Sequence, residues 1–492
     1  MGHIFKGALL LVGLAALSAA HVGSPDIYLD GNAGPYKLFV TIRTPQVIPG
    51  LAEVEIRSQT AGISEMRASP LPLSGAGAEN APLPEPLHRN TSDKQFFTGT
   101  IWLMMDGSWQ VRIAVNGTQG AGTLSVPVPA IATTTRGMKW QLSATLCALG
   151  AFLVLGLTAI TGAASREAKL SAGAVPDAIN KRKGRIAMAA SFCLIALVLW
   201  GGKTWWDSEA AVYRDRIYKP LNMRASLDHS WLRLNLSEPG WMQPEPGTIA
   251  RVLFVRRMDD LVLDHDHLMH LYAIRQPGLD VIYHLHPDQA APDEFKVELP
   301  AMPPGDYKLY ADVVHENGLP ETLMSAIHLP NGIAASTARP LSGDDASAET
   351  QPAGNAALGD TFALPDGYRM IWMHDGASLR VRQGTEFRFD LLAPDGSRPK
   401  DMALYMGMLG HAAFVKTDGT VFAHIHPNGT VPMAAFMLAQ GNDSMAGMDM
   451  EATLPNEVAF PYGLPTAGKY RIFVQMKHGE TVETGIFDAT AN

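Results

Sequence analysis

At 492 residues with a formal charge of −9, the chain has room for three or four domains and carries no basic surplus for gripping nucleic acid. Both cysteines, Cys147 and Cys193, lie inside apolar runs of membrane-span type, so the soluble parts have neither a disulfide framework nor a cysteine metal site. Any metal must be held by histidine, methionine or carboxylate.

Residues 1–20 read as a secretory signal, with Lys6, an apolar run from Ala8 to Ala16, and small residues at Ser18, Ala19 and Ala20. Cleavage after Ala20 would leave His21 at the new N-terminus, where its amine and imidazole resemble one arm of a copper-binding histidine brace. A brace needs a second histidine, and His88 is the only other one between the cut and the first membrane span. The plainer reading is that His21 simply follows the cut.

Residues 21–135 carry short β-type runs, KLFVTIR, LAEVEIR, FFTGTIWLM, SWQVRIAV and GTLSVPV, separated by Gly, Pro and Asn, the pattern of a β-sandwich. Ser64 to Asp93, rich in Pro, Ala and Ser, is expected as a long loop. Residues 138–202 hold two apolar stretches, Trp140–Gly162 and Ile186–Gly202, each near the length that crosses a bilayer. Between them, the 163–185 loop carries Arg166, Lys169, Lys181, Arg182, Lys183 and Arg185 against Glu167 and Asp177, which assigns it to the cytoplasm and both flanking soluble parts to the exterior. Trp200, Trp205 and Trp206 suit the opposite interface.

Two further β-sandwiches follow, at 220–332 and 361–490, joined by an Ala-, Ser-, Thr- and Gly-rich stretch at 333–360 that reads as a flexible linker. Each carries one copy of a histidine hairpin. The first reads DHDHLMHLYAIRQPGLDVIYHLHPD, with His265, His267, His270, His284 and His286; the second reads YMGMLGHAAFVKTDGTVFAHIHPNG, with His411, His424 and His426. Side chains two apart on a strand share a face, so His424 and His426 point the same way. A two-residue Asp418-Gly419 loop pairs Thr417 with Thr420 and sets His411 across from His426. The first copy is one residue longer and needs an odd loop or a bulge.

Three converging neutral imidazoles are a common ligand set for copper or zinc; the bland alternative is a set of polar-face histidines. Aligning His270 with His411 places His265 on Met406 and His267 on Met408. A thioether pair then stands where the first copy has imidazoles, which tilts the expected metal towards copper, with the first copy suiting Cu(II) or zinc and the second Cu(I). Core packing is the ordinary fate of both methionines. The C-terminal halves also repeat: Gly107, Gly305 and Gly468 precede Trp109, Tyr307 and Tyr470 by two residues, and His315 aligns with His478. His315 and His478 are weaker ligand candidates, as are Met445, Met448 and Met450 in the NDSMAGMDM loop.

The first domain, through HVGSPDIYLDGNAGPYKLFVTIR and WLMMDGSWQVRI, resembles the small periplasmic β-sandwich modules of the FixH and YtkA-like kind. The later domains, through LMHLYAIRQPGLDVIYHLHPD and MGMLGHAAFVKTDGTVFAHIHP, resemble poorly characterised bacterial envelope proteins associated with heavy metals, copper in particular. The resemblance implies an envelope role linked to metal and no particular reaction. The expectation is a mainly β protein: three immunoglobulin-like or cupredoxin-like sandwiches and a two-helix transmembrane hairpin in the bacterial inner membrane, its soluble parts facing the periplasm or exterior. It would bind, buffer or pass copper, in resistance or with an oxidase-assembly or copper-handling partner. Two other classes compete with this, a mononuclear copper redox enzyme and a structural scaffold that binds a protein partner without metal. Against the enzyme, the chain has no nucleophile motif or cofactor loop.

Overall fold

Gly107, Gly305 and Gly468 each open an eleven-residue strand, at φ +134°, +149° and +138°, angles that residues with a Cβ rarely adopt. Two residues later comes a ring that is buried in all three repeats. Trp109 Nε1 donates to Met105 O at 2.9 Å, Tyr307 OH to Pro303 O at 2.8 Å and Tyr470 OH to Thr466 O at 2.7 Å. Each long strand then pairs antiparallel with its successor, Gly120–Ala130, Pro320–Leu329 or Thr481–Ala491. Three copies of one corner thus confirm the internal repeat.

The computed structural model describes residues 21–22, 26–73, 81–171, 173–237, 243–244, 254–255, 258–334, 338–354, 358–441 and 454–492. The chain divides into two units, one of residues 1–131 and 218–492 and the other of Ala132–Ile217. Among the described residues of the first unit, each repeat has two main sheets, of five and four strands in the first, four and six in the second, and four and six in the third, where His21–Val22 is one of the six; Gln243–Pro244 and Phe254–Val255 form a further two-stranded pair. The Pro-rich region expected as a loop from Ser64 contains the strand Ile63–Pro72, which pairs with Gly107–Gly117 and buries Met66, Ala68 and Leu71. Its prolines masked an inward-facing apolar pattern.

Both histidine hairpins form. In the second, Ala412 pairs with Ile425 and Val415 with Phe422, the register that sets His411 opposite His426. In the first, Leu271 pairs with Leu285 and Ile274 with Ile282, so an odd loop closes the turn. Alternation then sorts the side chains. Leu271, Ala273, Val281, Tyr283 and Leu285 enter the core of the second sandwich; Ala412, Phe414, Val421, Ala423 and Ile425 enter that of the third. The opposite faces meet each other: Tyr272, Ile274, Ile282 and Tyr310 pack on Ala413, Val415, Phe422 and Phe473. Tyr310 stacks on Phe422 with centroids 4.1 Å apart. The hairpin sheets are therefore buried on both faces, and all eight histidines ride on strands or turns at this junction.

The stretch expected as a flexible linker is structured where it is described. Ala346–Glu349 adds a strand to the first hairpin, with His284 opposite Ala346 and Val281 opposite Glu349. The physical reason is that the return strand would otherwise leave a row of unpaired backbone groups. Arg471, fully buried, donates to Gln351 O at 2.8 Å and Leu279 O at 3.2 Å while paired with Asp488, tying the second and third repeats together. The first sandwich joins them through Tyr28, which sits in the core of the third, and through Arg382 on Asp26 at 2.9 Å.

The second unit is a helical pair, α1 (Trp140–Glu167) and α2 (Ala178–Asp215). Both are long and apolar enough to cross a membrane, with mean hydropathies of 2.1 and 1.8 over their best windows. Gly162 and Gly184 let the helices approach: a Cβ on Gly184 would stand 2.9 Å from Gly162 O. The basic residues expected in a loop lie mostly in helix, because Asp177 accepts the Asn180 N–H at 2.7 Å and caps α2 before Lys181.

Candidate metal centre

The two hairpins do not build two separate sites. They converge on one chamber. His265 lies beside the second hairpin, its ring 4.9 Å from those of both His411 and His426. Its position comes from a tight turn, with φ +52° at His265 and +68° at Asp266 and reciprocal backbone bonds between Asp264 and His267. The same turn recurs as Tyr405 to Met408, with φ +51° at Met406. The alignment of His265 with Met406 thus holds in the backbone.

Two triads result. One ring nitrogen from each of His270, His284 and His286, and one from each of His265, His411 and His426, lie within 4.8 Å of their fellows. His424 stands between them, with ring centroids 5.5 Å from His270, 5.4 Å from His411 and 4.6 Å from His426. His267 stacks on His286 at 3.9 Å.

Hydrogen bonds fix which nitrogen faces inward. His270 donates through Nε2 to Asp264 O at 2.9 Å, His284 through Nδ1 to Gln475 Oε1 at 2.9 Å, and His286 through Nδ1 to Asp345 at 3.2 Å. His265 Nδ1 donates to Met406 O at 2.7 Å and His267 Nε2 to Asp344 at 3.3 Å, and His424 Nδ1 lies 3.2 Å from Asp312 Oδ2. The remaining nitrogens of His265, His286 and His424, and both of His411, are buried without a partner among the described residues. His426 is similar, with only the Val431 backbone nearby and outside hydrogen-bonding geometry. Native interiors rarely leave so many polar atoms orphaned at one place. Burial first, and then neighbouring histidines, hold His270, His284, His286, His411 and His426 well below the usual imidazole pKa. The rings are neutral at pH 7, the form that ligates metal.

Asp312, Gln475, Asp344, Asp345 and Tyr405 were not singled out from sequence. Asp312 and Gln475 hold equivalent places, three residues before His315 and His478, and each orients the first histidine of the other repeat's H-x-H. That equivalence was available in the repeat. Nothing local marks Asp344 or Asp345.

Met406 and Met408 are buried, and Met406 serves His265 through its carbonyl. His315 and His478 lie outside the chamber, each between carboxylates. His315 contacts Asp260 at 2.7 Å and Glu321 at 3.2 Å, and these hydrogen bonds, opposing its burial, push it up to about 9. His478 has Asp401, Asp366 and Glu483 each at 3.4 Å, and with the last two makes a third group able to hold an ion. The backbone of His21 pairs in parallel with Val421. Met445, Met448 and Met450 lie outside the described residues. A partly open cavity of ≈ 150 Å³ touches Asp264, His270, Asp312, His424 and His426.

Fold and site together define a β-sandwich repeat protein with an interior polyhistidine chamber. A family profile described as "Domain of unknown function (DUF8832)" matches residues 248–326 and 363–492, the regions that carry both hairpins. No curated protein matches the chain. Solved structures similar to it include a tetra-tandem repeat from the extending region of a large adhesion protein, at 9% identity and TM-score 0.16, covering 92% of this chain and 72% of that one. A 1.5-MDa bacterial ice-binding adhesin aligns at 7% identity and TM-score 0.15, over 94% and 97%. SGBP-B from a xyloglucan utilization locus in Bacteroides uniformis aligns at 8% and 0.16, over 94% and 98%.

Proposed function

We propose that the protein is a membrane-anchored, periplasm-facing metal-binding protein that holds copper for buffering or transfer. The observation that carries this reading is the set of buried, neutral imidazoles whose free nitrogens have no protein partner. Three imidazoles suit copper or zinc, and an envelope location supplied by the two apolar helices fits the handling of an external ion. The spacing supports it further: two nitrogens on one tetrahedral ion, each at about 2.0–2.1 Å, stand roughly 3.3–3.4 Å apart. His270 Nδ1 and His284 Nε2 are 3.3 Å apart. The full chain, purified in detergent, exposed to copper or zinc and desalted, should retain metal by elemental analysis. A chain carrying His284→Ala and His411→Ala together should not. Retention by the double variant equal to that of the parent would sink the reading.

A further inference from the structure

We infer that the chamber holds two unequal ions, a resident one on His270, His284 and His286 and an exchangeable one on His265, His411 and His426; this rests on the metal-binding reading above. The asymmetry lies in what stands behind each ring. Every member of the first triad commits one nitrogen to a fixed acceptor, Asp264 O, Gln475 Oε1 or Asp345, so tautomer and orientation are set before an ion arrives. In the second triad only His265 is held in this way, on Met406 O, while His411 has no partner on either nitrogen. Outer acceptors of this kind are worth roughly 10–100-fold in metal affinity.

The cavity touches one member of each triad, His270 and His426, with His424 between them. His424 turns Nδ1 to Asp312 and leaves Nε2 buried and free between the triads, a ligand within reach of either ion as it moves. The second triad also draws His265 from one repeat and His411 and His426 from another. Both positions accept a first-row ion that prefers imidazole, copper or zinc.

The test is a titration of the full chain in detergent with Cu(II), and separately with Zn(II), against a chromophoric competing chelator. Two ions per chain should bind in two phases. Gln475→Leu should weaken the tight phase about 10–100-fold and leave the weak one in place. His411→Ala should remove the weak phase alone; His265→Gln, on the Asp264–His267 turn and not on a paired strand, should do the same if His411→Ala misfolds. One ion per chain, two ions of equal affinity, or a Gln475→Leu chain that loses the weak phase overturns the inference while the metal-binding reading stands. No bound ion at all overturns both.

Discussion

His270 Nδ1 and His284 Nε2 face each other at 3.3 Å as two acceptors, because the Nε2–H of His270 donates to Asp264 O and the Nδ1–H of His284 donates to Gln475 Oε1. Two lone pairs at that distance repel unless a cation lies between them. A proton or a metal ion can supply it. Burial in a cluster of like groups disfavours the proton, in keeping with the metal proposed above.

The metal-free chain is expected to be acid-labile. His270, His284, His286, His411 and His426 have folded pKa values depressed below the unfolded 6.5, so the unfolded chain takes up more protons as pH falls. Their contribution is intact above about 6.5 and is lost as pH drops from there towards the folded values. Thermal unfolding of chelator-treated protein should show a lower midpoint at pH 5.5 than at 7.5. Equal midpoints would refute this.

His315 should behave in the opposite sense. Its folded pKa is raised to about 9 by hydrogen bonds to Asp260 and Glu321, so its ion pairs stabilise fully below the unfolded 6.5 and lose that contribution as pH rises through 9. Removing one partner of a buried pair costs roughly 3–5 kcal/mol. His315→Gln is expected to destabilise by that order in denaturant melts and to flatten the profile between pH 7 and 9.5, with metal content unchanged. A loss of chamber metal would mean that the two regions are coupled.

The repeated corner makes a cleaner stability test. Tyr307→Phe and Tyr470→Phe each remove one donor from a half-buried carbonyl, at a cost of about 0.5–1.5 kcal/mol. The two sites share no partner, so the effects should add in the double variant. Denaturant unfolding measures both, and a neutral Tyr470→Phe would show that Thr466 O is satisfied elsewhere.

What the sequence disclosed follows from how local its signals are. The Asp418-Gly419 loop sets the register of the second hairpin by itself, so His411 opposite His426 was legible from counting. His265 joining His411 and His426 was not, because it depends on two sheets meeting through faces that already read as ordinary alternating strands. Tyr272 and Ile274 look like the second face of a half-buried strand until Phe422 and Phe473 cover them. The segment 333–360 misled for a compositional reason: its Ala, Ser and Gly content suits a tether, whereas Ala346–Glu349 needs only backbone to pair with Val281–Leu285.

That strap yields the last prediction. Asp345 accepts from both the backbone N–H and Nδ1 of His286, at 3.1 and 3.2 Å, and is itself paired with Arg339. Asp344 holds His267, which stacks on the same His286 ring, and its carbonyl accepts from Tyr405 OH at 2.6 Å. The strap thus fixes His286 from two directions although it supplies no imidazole. Asp345→Ala should free the ring to rotate and weaken metal retention by roughly tenfold or more, whereas Asp345→Asn keeps an acceptor oxygen and should lie close to the parent. Competition with a chelator, comparing the two variants, decides the matter. If Asp345→Ala holds metal as tightly as the parent, the strap completes the sheet and has no part in the site.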